Sequence, residues 1–305
     1  MSRDSVIGQA DVLCVCAPAT SAARIASIDR LRILAAIGIV WFHTEGAPGR
    51  QIAYAGLPIF LLIWFSLVAS RDPLPRARDF LRRAWDRLIA PWLFWSAVYA
   101  ACKLATGRPI LDVRTLLVGA NIHLWYLPYA CVCGLVLHII ASRVLHVADH
   151  LVVSVATSLG ILLLAGPASG LPVPLAQWRF GLAAIPLGLA IGRCRRMEDP
   201  ESRTFSLLLV ACVVLVACAP LRATSYAIAT VLVCLAYVWP SVGDGFVARV
   251  APLTFGMYLI HPLVGYALRH SIAGALDPAA HVVCVVVVSG LVTLGLMHTP
   301  LQRCV

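Results

Sequence analysis

The feature of this sequence that most restricts its fold is a succession of apolar runs, near residues 28–46, 54–70, 88–106, 123–142, 151–167, 177–192, 204–220, 223–240, 250–270 and 281–300. The hydrocarbon core of a bilayer is about 30 Å thick and takes about 20 apolar residues of helix to cross. Within it no water satisfies backbone N–H and C=O groups, so each run must close its own hydrogen bonds as a helix. The expectation is an all-α, polytopic membrane protein with about ten transmembrane helices. Composition excludes the alternatives. Of the 305 residues, 61% are hydrophobic and only 12% charged, where a soluble domain carries about 25% charge. A chain this long cannot cover its core with so few polar residues. Disordered, collagen-like and disulfide-scaffold chains need high polarity, a glycine period or a short cysteine-dense sequence.

Residues 1–24 are more polar, with Arg3, Asp4, Gln9 and Asp11. Gln9 and Asp11 interrupt what would be the apolar region of a signal peptide, so this stretch reads as a cytoplasmic tail ahead of one membrane-embedded domain, 25–305. The formal net charge is +10. In a soluble protein that excess would point to nucleic acid; here topology accounts for it and no nucleic-acid partner is expected. With the N-terminus inside, 17 of the 24 basic residues fall on the cytoplasmic side, and ten spans bring the C-terminus to the same side. The 11 cysteines lie mostly in apolar runs. Neither Cys14-Val-Cys16 nor Cys131-Val-Cys133 has zinc or thioredoxin-like spacing, so they read as small core residues and no metal is expected. Gly188 and Gly192 form one GxxxG pair suited to close helix packing. No internal repeat of the transporter kind is visible.

An ionisable residue at membrane depth costs at least about 2.5–3.5 kcal/mol and needs a partner or a wet cavity. The first run supplies two. Arg32 and His43 are 11 positions apart, close to three full turns, so they share a helix face about 16 Å apart along the axis. An imidazole titrates near neutrality and can take a proton from an attacking hydroxyl, while a guanidinium can hold a phosphate. The plainer reading is a topology-marking arginine and an interfacial histidine. Arg83 and Arg87, one turn apart in a loop of six arginines, face the cytoplasmic headgroups, where they either grip an anion or simply anchor the loop. His123-Leu-Trp125-Tyr126 opens the fourth span within the aromatic belt. Tyr258-Leu-Ile-His261-Pro262 lies midway along the ninth, where a histidine beside a kinking proline is costly unless it faces a cavity.

Four segments at these positions, taken in order, resemble the acyltransferase-3 family. They are Ile28-Asp29-Arg30-Leu31-Arg32 through His43, the basic loop into Arg87-Leu-Ile-Ala-Pro91, His123-Leu-Trp125-Tyr126-Leu127, and Met257-Tyr258-Leu259-Ile260-His261-Pro262. The resemblance covers about residues 27–270. It implies a ten-helix enzyme of the cell inner membrane, embedded in the lipid bilayer with both termini cytoplasmic. Such an enzyme takes an acyl group, commonly acetyl or succinyl, from cytoplasmic acyl-CoA as co-substrate, with no permanently bound cofactor. The acceptor it implies is a hydroxyl of a carbohydrate or lipid-linked glycan. Arg32 and His43 fall on the Arg and His of the family's first-helix motif. On that reading His43 is the general base, Glu45 orients it, and Arg32 with Arg83 or Arg87 holds the acyl-CoA phosphates. His123, Trp125, Tyr258 and His261 then border the substrate cavity. Two departures stand out. The paired arginines are four apart instead of three, and the usual Ser-Gly of the second helix is replaced by bulkier residues in Phe60-Leu-Leu-Ile63-Trp64-Phe65. Direct transfer and an acyl-histidine intermediate are both compatible with the residues. The competing class is a transporter or flippase of an anionic glycan or lipid, whose path the same Arg and His would line.

Overall fold

The computed structural model describes residues 25–71, 73–107, 115–166, 170–241, 245–271 and 276–305. The expected tail at 1–24 lies outside the described residues. Each of the ten apolar runs is helical: α1 (Ala26–His43), α2 (Arg50–Ala69), α3 (Ala77–Ala105), α4 (Ile122–Arg143), α5 (Asp149–Ala165), α6 (Leu175–Arg196), α7 (Pro200–Leu221), α8 (Thr224–Val238), α9 (Leu253–His270) and α10 (Pro278–Met297). Among the described residues there is no strand.

Six of these helices, α2, α3, α4, α6, α7 and α10, are long and apolar enough to cross a membrane, which makes this a multi-pass membrane protein. The expectation of ten spans goes further than these six. The other four fall short for identifiable reasons. Helices α5 and α8 have 17 and 15 residues. Helix α1 carries Asp29, Arg30 and Arg32, and α9 carries Thr254, His261, Arg269 and His270. The two helices disqualified by polar residues are those that hold His43 and His261.

Burial separates centre from periphery. Of the apolar window in α2, 67% is buried, against 28% in α7 and in α10. The outer helices turn Leu162, Phe205 and Val216 outward, all well over half exposed, as lipid-facing side chains must be. Helix α2 packs most closely on α6, α7 on α8, and α9 on α10. The α2–α6 contact depends on glycine. A β-carbon at Gly192 would lie 2.6 Å from that of Ala69, and one at Gly188 would meet Phe65. The bulky Trp64 of α2 is accommodated by a glycine on α4, since its Nε1 lies 3.2 Å from where a β-carbon on Gly134 would stand.

The apolar interior forms two clusters. One is built around α2 and α4 to α8, the other around α3, the start of α4, α9 and α10. Helix α1 joins them, giving Ile28, Leu31 and Ala35 to the first and Ile39 and Val40 to the second. It contacts α2, α8, α9 and α10. Its C-terminal residue, His43, is thereby held where α1, α2, α4 and α9 converge.

Candidate active site

The convergence encloses a cavity of about 220 Å³, lined by Ile39, Phe42, His43, Tyr54, Leu57, Ile122, His123, Trp125, Gln177 and Tyr258. Aromatic walls with a few polar groups are the usual make-up of a small-molecule site. A more open groove of about 600 Å³, lined by Phe42, Gly49, Arg50, Gln51 and Ile52, adjoins it at Phe42.

Three imidazoles meet here. The ring centres of His43 and His261 are 5.2 Å apart, and those of His123 and His261 5.7 Å. Their environments differ. His43 is exposed, with its ring on the cavity. His123 is 4% exposed and His261 2%. Local backbone chemistry explains how the buried pair is held. Pro262 has no N–H, so the carbonyl of Tyr258, four residues earlier, lacks its helical donor. His261 Nδ1 supplies one at 2.7 Å. In the neutral ring Nε2 is then the unprotonated nitrogen, and this atom is buried with no hydrogen-bond partner. His123 enters on the 3₁₀ turn Ile122–Trp125 that opens α4. Its Nε2 donates to the Leu259 carbonyl at 3.3 Å, which also accepts from the Tyr99 hydroxyl at 2.8 Å. Tyr258 returns the connection by donating its hydroxyl to the His123 carbonyl. Helices α4 and α9 are thus laced together directly beneath the cavity. Among the described residues no trio of His, Cys, Asp or Glu side chains is arranged to hold a metal ion.

Of the residues singled out from the sequence, His43, His123, Trp125 and Tyr258 line this cavity, and His261 lies directly behind His43. The others stand elsewhere. Glu45 is 77% exposed at its side chain and pairs with Arg269 at 3.2 Å, so the structure gives its carboxylate to α9 and not to His43. Arg32 is half-buried on the face of α1 expected for it, but its guanidinium pairs with Asp29 at 3.3 Å. Arg83 and Arg87 are exposed on α3, outside the cavity. After Arg83 the helix widens into a π-helical turn, Trp85–Ile89, that contains Arg87. Such a turn takes up one residue more than an α-helical one and frequently marks a functional position. The half-buried Arg71 joins this group: burial first, then the like charges of Arg83 and Arg87, pull its guanidinium below the ordinary value.

Several lining residues gave no sequence signal. The Tyr54 ring lies tilted against those of Phe42 at 4.6 Å and Phe180 at 4.9 Å. Gln177, near the start of α6, also lines the cavity and has a buried Oε1 without a partner. A lone amide opening an apolar run was the available hint. Arg50 reaches the groove with its Nε bonded to the Phe42 carbonyl at 2.8 Å.

The family model described as an acyltransferase domain matches residues 25–298. No curated protein matches the chain, and no solved structure does.

Proposed function

Because the chain belongs to the acyltransferase-3 family, we propose that it moves an acetyl or succinyl group from cytoplasmic acyl-CoA to a hydroxyl of a carbohydrate or lipid-linked glycan. The observation that carries this reading is that His43, exposed where His123 and His261 are buried, lines a cavity walled by aromatic side chains. His43 removes the proton from the acceptor hydroxyl as its oxygen attacks the thioester carbonyl. The tetrahedral intermediate collapses with cleavage of the C–S bond, and the imidazolium returns its proton to the departing thiolate. A thioester is already activated, so positioning, deprotonation and stabilisation of the oxyanion suffice.

Charge is segregated to match. The cavity at the C-terminal end of α1 carries no carboxylate, which suits a neutral sugar stacked between Tyr54, Trp125 and Tyr258 with Gln177 on a hydroxyl. Arg83, Arg87 and Arg71 gather instead on α3 and at the end of α2, away from the cavity, where guanidinium forks favour the phosphates of a donor entering from the cytoplasm. Arg32, tied to Asp29, lies about three helical turns from His43 along α1. The reading places the protein in the cell inner membrane.

The direct test is purification in detergent and measurement of thiol release from acetyl-CoA with candidate glycan acceptors. It is paired with chemical analysis of surface glycans in cells with and without the gene. Loss of an O-acyl ester on one glycan identifies the acceptor. An unchanged glycan profile together with no acyl-CoA turnover overturns the assignment.

A further inference from the structure

We propose that His261 is the positioning residue for His43, accepting a hydrogen bond from it and so holding the cavity-facing nitrogen of His43 in its unprotonated form. This rests on the reading of His43 as general base. His261 is not among the residues lining the cavity and is 2% exposed. It therefore touches no substrate and acts through its neighbour.

The geometry has three parts. First, the tautomer of His261 is set by the backbone: Nδ1–H is committed to the Tyr258 carbonyl at 2.7 Å because Pro262 leaves that carbonyl without a helical donor. Second, Nε2 is left with a lone pair that is buried and unpartnered. An unsatisfied buried polar atom costs about 1–3 kcal/mol, so a donor beside it is favoured. Third, the nearest imidazole is His43, with ring centres 5.2 Å apart and planes inclined at 43°. Two imidazoles joined by an N–H···N contact of about 3 Å have ring centres roughly 5 Å apart. Rotation of the His43 ring within its broad terminal torsion closes the contact without moving the backbone.

The other groups near His43 are placed otherwise. Glu45 is exposed and paired with Arg269. Arg50 can only donate. His123 has its ring contacts with Tyr99, Tyr258 and His261. A neutral imidazole as orienting group also avoids burying a carboxylate in the bundle, whose desolvation would need offsetting. Proton accounting is complete. His43 keeps one N–H on His261 throughout, gains the acceptor's proton on its other nitrogen, and gives that proton to the departing thiolate.

The test uses the full chain in lipid nanodiscs with ¹⁵N-labelled histidine, the His43 ring signals being identified by their loss in His43→Gln. The expected result is a single neutral tautomer for His43 and a ¹⁵N–¹⁵N coupling across the hydrogen bond to His261. This needs no variant at position 261. In kinetics, His261→Phe should lower kcat for thiol release from acetyl-CoA by about 10²-fold with KM for acetyl-CoA unchanged. His261→Gln, which keeps an acceptor oxygen near the Nε2 position, should recover most of that loss. Averaging of His43 between both tautomers in the wild-type protein overturns the proposal, as does unchanged kcat in a folded His261→Phe protein. A fully active His43→Gln protein would instead overturn the general-base reading, while the tautomer measurement would still decide the contact.

Discussion

At the residue scale, three histidines of one chemical type are given different tasks by where their nitrogens point. His123 and His261 spend one nitrogen each on backbone carbonyls of α9, while His43 has its ring open to the cavity. Replacing His43 by Ala should therefore lower acyl transfer by about 10²–10⁴ while leaving membrane insertion intact, because an open ring contributes little to packing. Comparing turnover with the amount of monodisperse protein separates the two effects. Glu45 leads to the opposite expectation from its sequence position two residues beyond His43. Its carboxylate is mostly exposed and paired with Arg269, and an exposed pair is worth about 0–1 kcal/mol. Glu45→Gln should retain turnover within about threefold of wild type. A loss beyond tenfold in a stable protein would mean that the carboxylate swings onto His43 during the reaction.

At the element scale, two helices show how local sequence serves the site. In α3 the π-helical turn Trp85–Ile89 follows Arg83 and contains Arg87, and the charges of both reach Arg71. Arg87→Lys keeps the charge and loses the planar fork, so acyl-CoA binding should weaken about tenfold with little change in the rate of the bound complex. Arg32→Lys should act in the same direction, and it also disturbs the bond to Asp29. Calorimetry of acyl-CoA binding in detergent checks both, and wild-type affinity in the two variants would leave these arginines as topology anchors. In α6 the glycine pair has a packing role. A side chain at Gly188 would run into Phe65 of α2, and forcing extra atoms into such a contact typically costs about 1–3 kcal/mol. Gly188→Leu should lower the thermal midpoint followed by tryptophan fluorescence and broaden the size-exclusion peak. A variant as stable as wild type would show that α2 and α6 slide apart at little cost.

At the scale of the whole molecule, α1 connects the two apolar clusters and carries Arg32 and His43 on one face. This arrangement gives the protein a polarity across the membrane. With 17 of 24 basic residues assigned to cytoplasmic loops, both termini should face the cytoplasm and Arg50–Ala53 the opposite side. Reporter fusions at the two ends and labelling of a cysteine introduced at Gln51 would check it. An externally reachable C-terminus would require an odd number of crossings and would place the arginine group and the cavity differently relative to the donor.

The sequence by itself determined the helical class, the position of every apolar run, the membrane setting and the pairing of Arg32 with His43 on one face. Each depends on periodicity or composition, which act locally along the chain. It also marked His261 as a costly residue at depth, since burial of a polar group is unfavourable whatever surrounds it, while it placed His123 in the aromatic belt. What it did not contain is who meets whom. The meeting of α1, α2, α4 and α9 is set by packing between segments up to about 200 residues apart, so Tyr54 and Gln177 became lining residues only once α2 and α6 were brought to the cavity. The same holds for Glu45, expected to orient His43, whose carboxylate the end of α9 brings within 3.2 Å of Arg269. Tertiary structure also decided that His43 and His123 line the cavity while His261 lies behind His43, bonded to the α9 carbonyl that Pro262 leaves without a helical donor.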